Sequence, residues 1–207
     1  MSLDLFIPFL IATAILLATP GPTILLVVSY ALAQGRGVAL AMVGGGILGD
    51  LRAMSATLIS IGVVMTASAS LFTVMKWAGA AYLAWMGWRM IRSAGRATAD
   101  LAEVAGKSKG AAFRDSALVT LLNPKSIGFF VAFVPQFIDP AAPFTPQFTV
   151  MIATFVGLGG VNALAYALLA ATLRSKVARP DWMAWLQRGS GAVLIGLAVF
   201  TTTLRRA

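Results

Sequence analysis

Apolar residues run along this chain in long continuous stretches, and polar residues gather in the short breaks between them. No charge occurs between residues 5 and 34, 53 and 75, or 140 and 173. Each interval equals or exceeds the ~20 residues that an α-helix needs to cross the hydrocarbon of a bilayer. Because the runs are continuous rather than alternating, they predict helices and not the strands of a membrane barrel. The polar breaks divide the chain into six predicted spans, at residues 5–32, 40–64, 71–91, 117–137, 148–173 and 189–204. The first of these reads as a retained span. "MSLDLF" lacks a basic leader, and the run behind it is longer than the ~7–15 apolar residues of a secretory signal.

Composition fits that pattern. The 207 residues are 59% hydrophobic and only 11% charged, against roughly a quarter charged in a soluble domain. The expected fold class is an all-α integral membrane protein. A net charge of +9 could suggest nucleic acid, but the positions of the 16 basic residues argue against it. Arg36 follows the first span; Arg89, Arg92, Arg96, Lys107, Lys109 and Arg114 surround the third connection; Arg174, Lys176, Arg179 and Arg188 surround the fifth. Lys76, Arg205 and Arg206 fall on the other side, and Arg52 and Lys125 lie within spans. The excess of basic residues on one side predicts cytoplasmic odd-numbered loops and both termini outside. No soluble domain is left to bind nucleic acid. The third connection, "SAGRATADLAEVAGKSKGAAFRD", reads as a solvated cytoplasmic linker.

Cysteine and histidine are absent, which removes disulfides, thiolate chemistry, the commonest metal ligand and the usual proton shuttle. With no nucleophile triad, phosphate-binding loop or zinc-protease motif either, neither an enzyme nor a cofactor is expected.

One stretch then stands out. "LLATPGPTILLVV" places Pro20, Gly21 and Pro22 in the middle of an apolar run, where proline removes a backbone donor and kinks or unwinds the helix. "GPTILLVVSYAL" from Gly21 aligns with "NPKSIGFFVAFV" from Asn123, so that Pro22 falls on Pro124. Further along, an offset of 112 pairs Gly45 with Gly157, Asp50 with Asn162, Lys76 with Arg188, Gly79 with Gly191 and Ala80 with Ala192. The halves read as diverged copies: a first three-helix repeat over residues 1–91, a linker over 92–116 and a second repeat over 117–207. Three spans per copy would invert one copy relative to the other, and in inverted-repeat transporters the corresponding interruptions face a buried polar substrate.

Intramembrane polar groups supply the chemistry. Asp50, Arg52, Lys125 and Asn162 lie within predicted spans, and each should face a cavity or a partner, since a charge at mid-bilayer costs at least about 2.5–3.5 kcal/mol. Asp50 is the sole carboxylate deep in a span, which makes it the candidate to carry a proton. Asp50 and Arg52 do not share a helix face, so a plainer arrangement has Arg52 snorkelling and Asp50 paired with Lys125. A zwitterionic substrate would set its carboxylate against Lys125 and the amides beside Pro124. Its ammonium would meet Asp50 and the carbonyls freed by Pro20 and Pro22. Gly45 and Gly49 form a GxxxG pattern read as close helix packing within the monomer.

Together, "TPGPTILLVVS", "GILGD", "KWAGAAYLAWMGWRM" and "LLNPKSIGFFVAFVPQFIDP" resemble the LysE/RhtB family of bacterial amino-acid exporters, in order and nearly end to end. The resemblance implies a six-span secondary exporter in the bacterial inner membrane, driven by antiport of protons and often homo-oligomeric. Its motif residues here are Pro20, Gly21, Pro22, Gly49, Asp50, Asn123, Pro124 and Lys125, with Asn162 added from the internal repeat. Many members carry histidine near the position of Ala53 and no base at Arg52. The alternative is a heavy-metal or other cation exporter, as found among relatives of the family. It would prefer soft or imidazole ligands, and this chain offers only carboxylates, carbonyls and methionines.

Overall fold

A computed structural model describes residues 1–94, 106–172 and 180–203, and all regular structure among them is helical. The middle of the linker, residues 95–105, therefore lies outside the described residues, as do Arg96, Arg174, Lys176, Arg179, Arg205 and Arg206.

The first expected span is two helices, α1 (Leu3–Ala18) and α2 (Pro22–Gln34), which meet at 46°. The break is local chemistry. Pro22 occupies the first position of α2, where its missing N–H is no loss and its fixed φ suits a helix start. Gly35 ends α2 with φ 79°, a left-handed conformation that glycine adopts without steric cost, and α3 (Arg36–Ala67) begins at the next residue. After it come α4 (Ala69–Ser93), α5 (Lys109–Leu121), α6 (Pro124–Ala132), a 3-10 turn at Val134–Phe137, α7 (Phe144–Thr172) and α8 (Pro180–Thr203).

By length and composition Arg36–Met65, Lys109–Phe137 and Phe144–Ala170 can each cross a membrane, and the bent α1/α2 pair makes a fourth. Helices α4 and α8, of 25 and 24 residues, cover the third and sixth expected spans but carry more polar residues, including Lys76 in the first and Gln187 and Arg188 in the second. Residues 109–116, read from sequence as linker, form the first turns of α5. The Ser108 hydroxyl explains this, accepting from Ala111 N at 3.2 Å as an N-cap. Just ahead of it Lys107 donates to Asp115 Oδ2 at 2.8 Å, and the same oxygen accepts from the hydroxyl of buried Tyr30 at 2.9 Å. That carboxylate holds the half-buried Lys107 ammonium above its ordinary pKa and ties the end of the linker to α2.

Two apolar clusters form the interior. In one, Phe129, Phe130, Phe133 and Phe155 stack with Phe9, Leu58 and Leu83. In the other, Val27, Tyr30 and Met42 meet Ala163 and Ala167. Outward faces are apolar as well: Ile7, Ile11 and Ile15 on α1, Ile59 and Val63 on α3, and Leu168 and Leu169 on α7 are all exposed. Such stripes suit a surface solvated by lipid.

Small residues set the closest approaches. A Cβ at Gly45 would collide with the carbonyl oxygen of Phe113, and one at Gly49 would lie 2.7 Å from both Ala117 O and Thr120 Cβ. The GxxxG pattern is thus the seam between α3 and α5, within the monomer as expected, and it brings Asp50 beside the α5/α6 break. Gly45→Ala should cost about 1–3 kcal/mol of stability by overpacking. Gly157→Ala, where a Cβ meets nothing within 4 Å, should cost none. Thermal unfolding of the purified variants compares the two, and equal melting temperatures would contradict this account of the seam.

Gly87 and Gly191 meet reciprocally across α4 and α8. A Cβ on either would strike the carbonyl of the other, with Ile195 and Ile91 as the matching second neighbours. The sequence alignment equated Gly191 with Gly79, about two turns earlier on α4, as a correspondence between copies and not as a contact. Gly79 packs on Ala132 of α6.

Candidate functional site

Breaking a helix leaves carbonyls at its end without backbone donors. At the end of α1 five consecutive carbonyls, from Leu16 to Pro20, each receive a side-chain donor, Leu16 O in addition to the Thr19 N–H at 3.3 Å. Lys125 Nζ donates to Leu16 O at 2.7 Å, to Thr19 Oγ1 at 3.0 Å and to Thr19 O. Thr19 Oγ1 itself donates to Leu16 O at 2.6 Å. Asn162 Nδ2 donates to Leu17 O at 2.8 Å, Tyr166 OH to Ala18 O at 3.0 Å and Ser190 Oγ to Pro20 O at 2.9 Å. Donors from α6, α7 and α8 therefore converge on one broken helix end.

The second break is built differently. Asn123 caps α6 through its side-chain oxygen, which accepts from Lys125 N at 3.0 Å. Its amide nitrogen reaches Thr23 Oγ1 at 3.3 Å, which Thr120 Oγ1 also approaches at 3.1 Å. Pro124 takes the first position of the helix, as Pro22 does in α2. The two breaks thus face each other, joined by Thr23, Asn123 and Lys125.

Between them lies a cavity of about 40 Å3, walled by Leu16, Leu17, Ile24 and Ala163 from the two apolar clusters and by Asp50, Asn123, Lys125 and Asn162. A buried water needs ~10–15 Å3 by the same measure, so the space holds about three waters. It is too small for an amino acid in this conformation. Asp50 and Lys125 are both buried, at 9% and 5% exposure, and each feels the charge of the other. No salt bridge joins them among the described residues, so the plain Asp50–Lys125 pair considered from sequence is not formed. The Asp50 carboxylate fits because Gly159 on α7 has no side chain: a Cβ there would sit 3.1 Å from Oδ2.

Of the residues singled out from sequence, Gly21, Asp50, Asn123, Lys125 and Asn162 border this one cavity, while Pro22 and Pro124 line a neighbouring space together with Gly21. Pro20 contributes the carbonyl that Ser190 caps. Arg52 is exposed on α3 and does not join the site. Sequence reasoning missed Thr19, Thr23, Tyr166 and Ser190. The two threonines flank the Pro-Gly-Pro triplet, and Tyr166 lies one turn beyond Asn162 on the same face, so both positions carried a signal. Ser190 carried none.

These features describe a helical membrane protein organised around interrupted helices and a buried charge, the architecture of a translocator. The chain belongs to the family of LysE type translocators, whose family model matches residues 14–204. It is 32% identical over 208 residues to an uncharacterized membrane protein of Vibrio cholerae, covering 99% of this chain and 100% of that one. It is 30% identical over 210 residues to the homoserine/homoserine lactone efflux protein of Salmonella typhimurium, covering both chains in full at 100%. A leucine efflux protein of Klebsiella pneumoniae is 26% identical over 134 residues, 65% of this chain and 63% of the relative. No solved structure matches the chain.

Proposed function

We propose that this chain is a secondary exporter that moves amino acids out across the bacterial inner membrane by proton antiport. The observation that carries the reading is the ammonium of Lys125 held on the carbonyls at the end of α1. Carbonyls gathered at a helix C-terminus carry partial negative charge and favour a cation, and an α-ammonium is chemically the same group as the one they hold. Binding is then an exchange. The substrate's ammonium displaces that of Lys125, and the freed Lys125 turns to the substrate's carboxylate, together with the amides at the start of α6. Net charge in the site is conserved, which avoids the large cost of an unpaired buried ion. The small cavity fits a state closed around Lys125, and movement of α1 against α2 at Pro20–Pro22 would enlarge it. Asp50 on the same cavity supplies the proton step.

Relatives named as homoserine and leucine efflux proteins support the substrate class. A heavy-metal exporter is less well supported, since the only acidic side chain on the cavity is Asp50 and soft metals select thiolate and thioether ligands. The test is uptake of homoserine, leucine and divalent cations into inverted membrane vesicles with an imposed pH gradient. Gradient-dependent accumulation of an amino acid is expected. Uptake of a divalent cation with no amino-acid uptake would replace this reading with the alternative.

The proposed membrane arrangement is six spans in two inverted repeats, with odd loops cytoplasmic and both termini outside. Two helix breaks that each restart on a proline support it, as does the reciprocal Gly87/Gly191 contact. A reporter active only in the cytoplasm should work when inserted near Ala105 and fail at Ala207. Activity at both positions would require an even number of spans between them, where the proposal has three, and would end the inverted-repeat proposal.

A further inference from the structure

A second cavity, of about 350 Å3, lies on the other side of the Pro20–Pro22 break, between the starts of α2 and α6, the C-terminal half of α4 and Gln187 of α8. Its size falls within the ~300–1,000 Å3 of small-molecule sites. Three features give it chemistry. Tyr82, Trp85, Met86, Arg89, Met90 and Ser93 line it from α4, at the spacing of one helix face. The Arg89 guanidinium is held over the Trp85 ring, 4.9 Å from its centroid, and no carboxylate pairs with it among the described residues. Gly21 belongs to the walls of both cavities, and a Cβ on it would come within 3.2 Å of Lys125 Cδ.

We propose that this second cavity is a loading site for the transported amino acid, in which Arg89 binds the carboxylate and the Tyr82/Trp85 wall receives the side chain. The inference rests on the export reading and adds to it a site distinct from the Lys125 cavity. Arg89 presents a planar fork of donors that matches a carboxylate with two parallel hydrogen bonds. The aromatic wall beside it suits an aliphatic side chain. From here a substrate passes Gly21 to reach the α1 carbonyls and Lys125. Gly21, which bears no side chain, is the wall residue that the two cavities share. Arg89 also lies near the end of α4 that leads into the linker, on the face from which an exporter loads.

Two measurements test this. In inverted vesicles, Arg89→Gln should raise the half-saturation concentration for leucine or homoserine at least about tenfold, the loss expected for charge-assisted hydrogen bonds. Arg89→Lys should recover part of that loss, and the maximal rate should stay within about twofold of wild type. Separately, the natural chain has no cysteine, so Ser93→Cys gives a single thiol on the cavity wall. In purified protein reconstituted in zwitterionic lipid, leucine or homoserine should slow maleimide labelling of this thiol several-fold, and adding Arg89→Gln should abolish the protection. An unchanged half-saturation concentration in Arg89→Gln, with normal wild-type uptake, would overturn the loading site and leave the export reading standing. Protection given by phosphatidylglycerol, with none from either amino acid, would assign Arg89 to a lipid headgroup and also overturn it. Absence of uptake by the wild type would sink the export reading, whereas the labelling result judges the cavity by itself.

Discussion

Lys125→Ala is expected to reduce amino-acid export at least about hundredfold while the protein still inserts and folds. The ammonium makes three hydrogen bonds, to Leu16 O, Thr19 O and Thr19 Oγ1, and bonds to a charged group contribute about 1.5–3 kcal/mol each. Only part of that loss would appear as instability. Leu16 O keeps the Thr19 hydroxyl, and the shortened side chain leaves room for water at Thr19 O. The variant should therefore melt a few degrees lower and remain monodisperse. Transport suffers more, because the proposed exchange of ammonium groups needs Lys125 twice: first as the occupant that holds the empty site together, then as partner to the substrate's carboxylate. Lys125→Arg keeps the charge but is too broad for the same carbonyls, and should rescue folding better than transport. Normal export by Lys125→Ala would make Lys125 a structural charge and remove the exchange step.

Asp50→Asn should abolish proton-driven accumulation and leave movement of the amino acid down its own gradient. The carboxylate lies on the cavity without a salt bridge among the described residues, close enough to Lys125 to sense its charge. Titration at this position is then linked to whether the ammonium facing it belongs to Lys125 or to substrate. Asparagine preserves shape and fits the same space beside Gly159, so loss of packing is not the expected cause of any effect. The comparison is uptake into inverted vesicles with and without a pH gradient, alongside exchange of labelled for unlabelled amino acid at equal concentrations. Wild-type dependence on the gradient in Asp50→Asn would exclude this residue as the proton carrier. Loss of exchange as well would make it a substrate ligand.

Several of the features behind these predictions were written locally in the chain. Pro20, Gly21 and Pro22 disrupt a helix whatever surrounds them, because a missing N–H and a fixed φ act within one turn. Asn123-Pro124 does the same, with its own cap included. Asp50, Lys125 and Asn162 stood out because a polar group in an apolar run has to be accommodated by something. The order of helices followed from the long uncharged intervals for the same reason. Helix ends were less legible: α5 starts at Lys109 because Ser108 caps it, and polar residues near a membrane surface can be helical or not at little difference in cost.

Which groups meet was decided in three dimensions. Lys125 looked like a partner for Asp50 or for a substrate carboxylate, yet its ammonium lies on the carbonyls of Leu16 and Thr19. Long-range packing put it there: α5 fits against α3 at Gly45 and Gly49, and this brings the α5/α6 break beside the end of α1. Ser190 reaches Pro20 O from α8 by the same kind of placement, with the Gly87/Gly191 contact fixing α8 on α4, and no local pattern marks it. The sequence by itself determined where the helices break and which charges fall within apolar runs, since both follow from backbone and solvation chemistry at a single position; that Asp50 and Lys125 are buried while Arg52 is exposed came from the packing. Only the tertiary structure decided which donor caps which carbonyl and that Gly21 stands between two cavities, because those outcomes depend on close contacts between helices far apart in the chain.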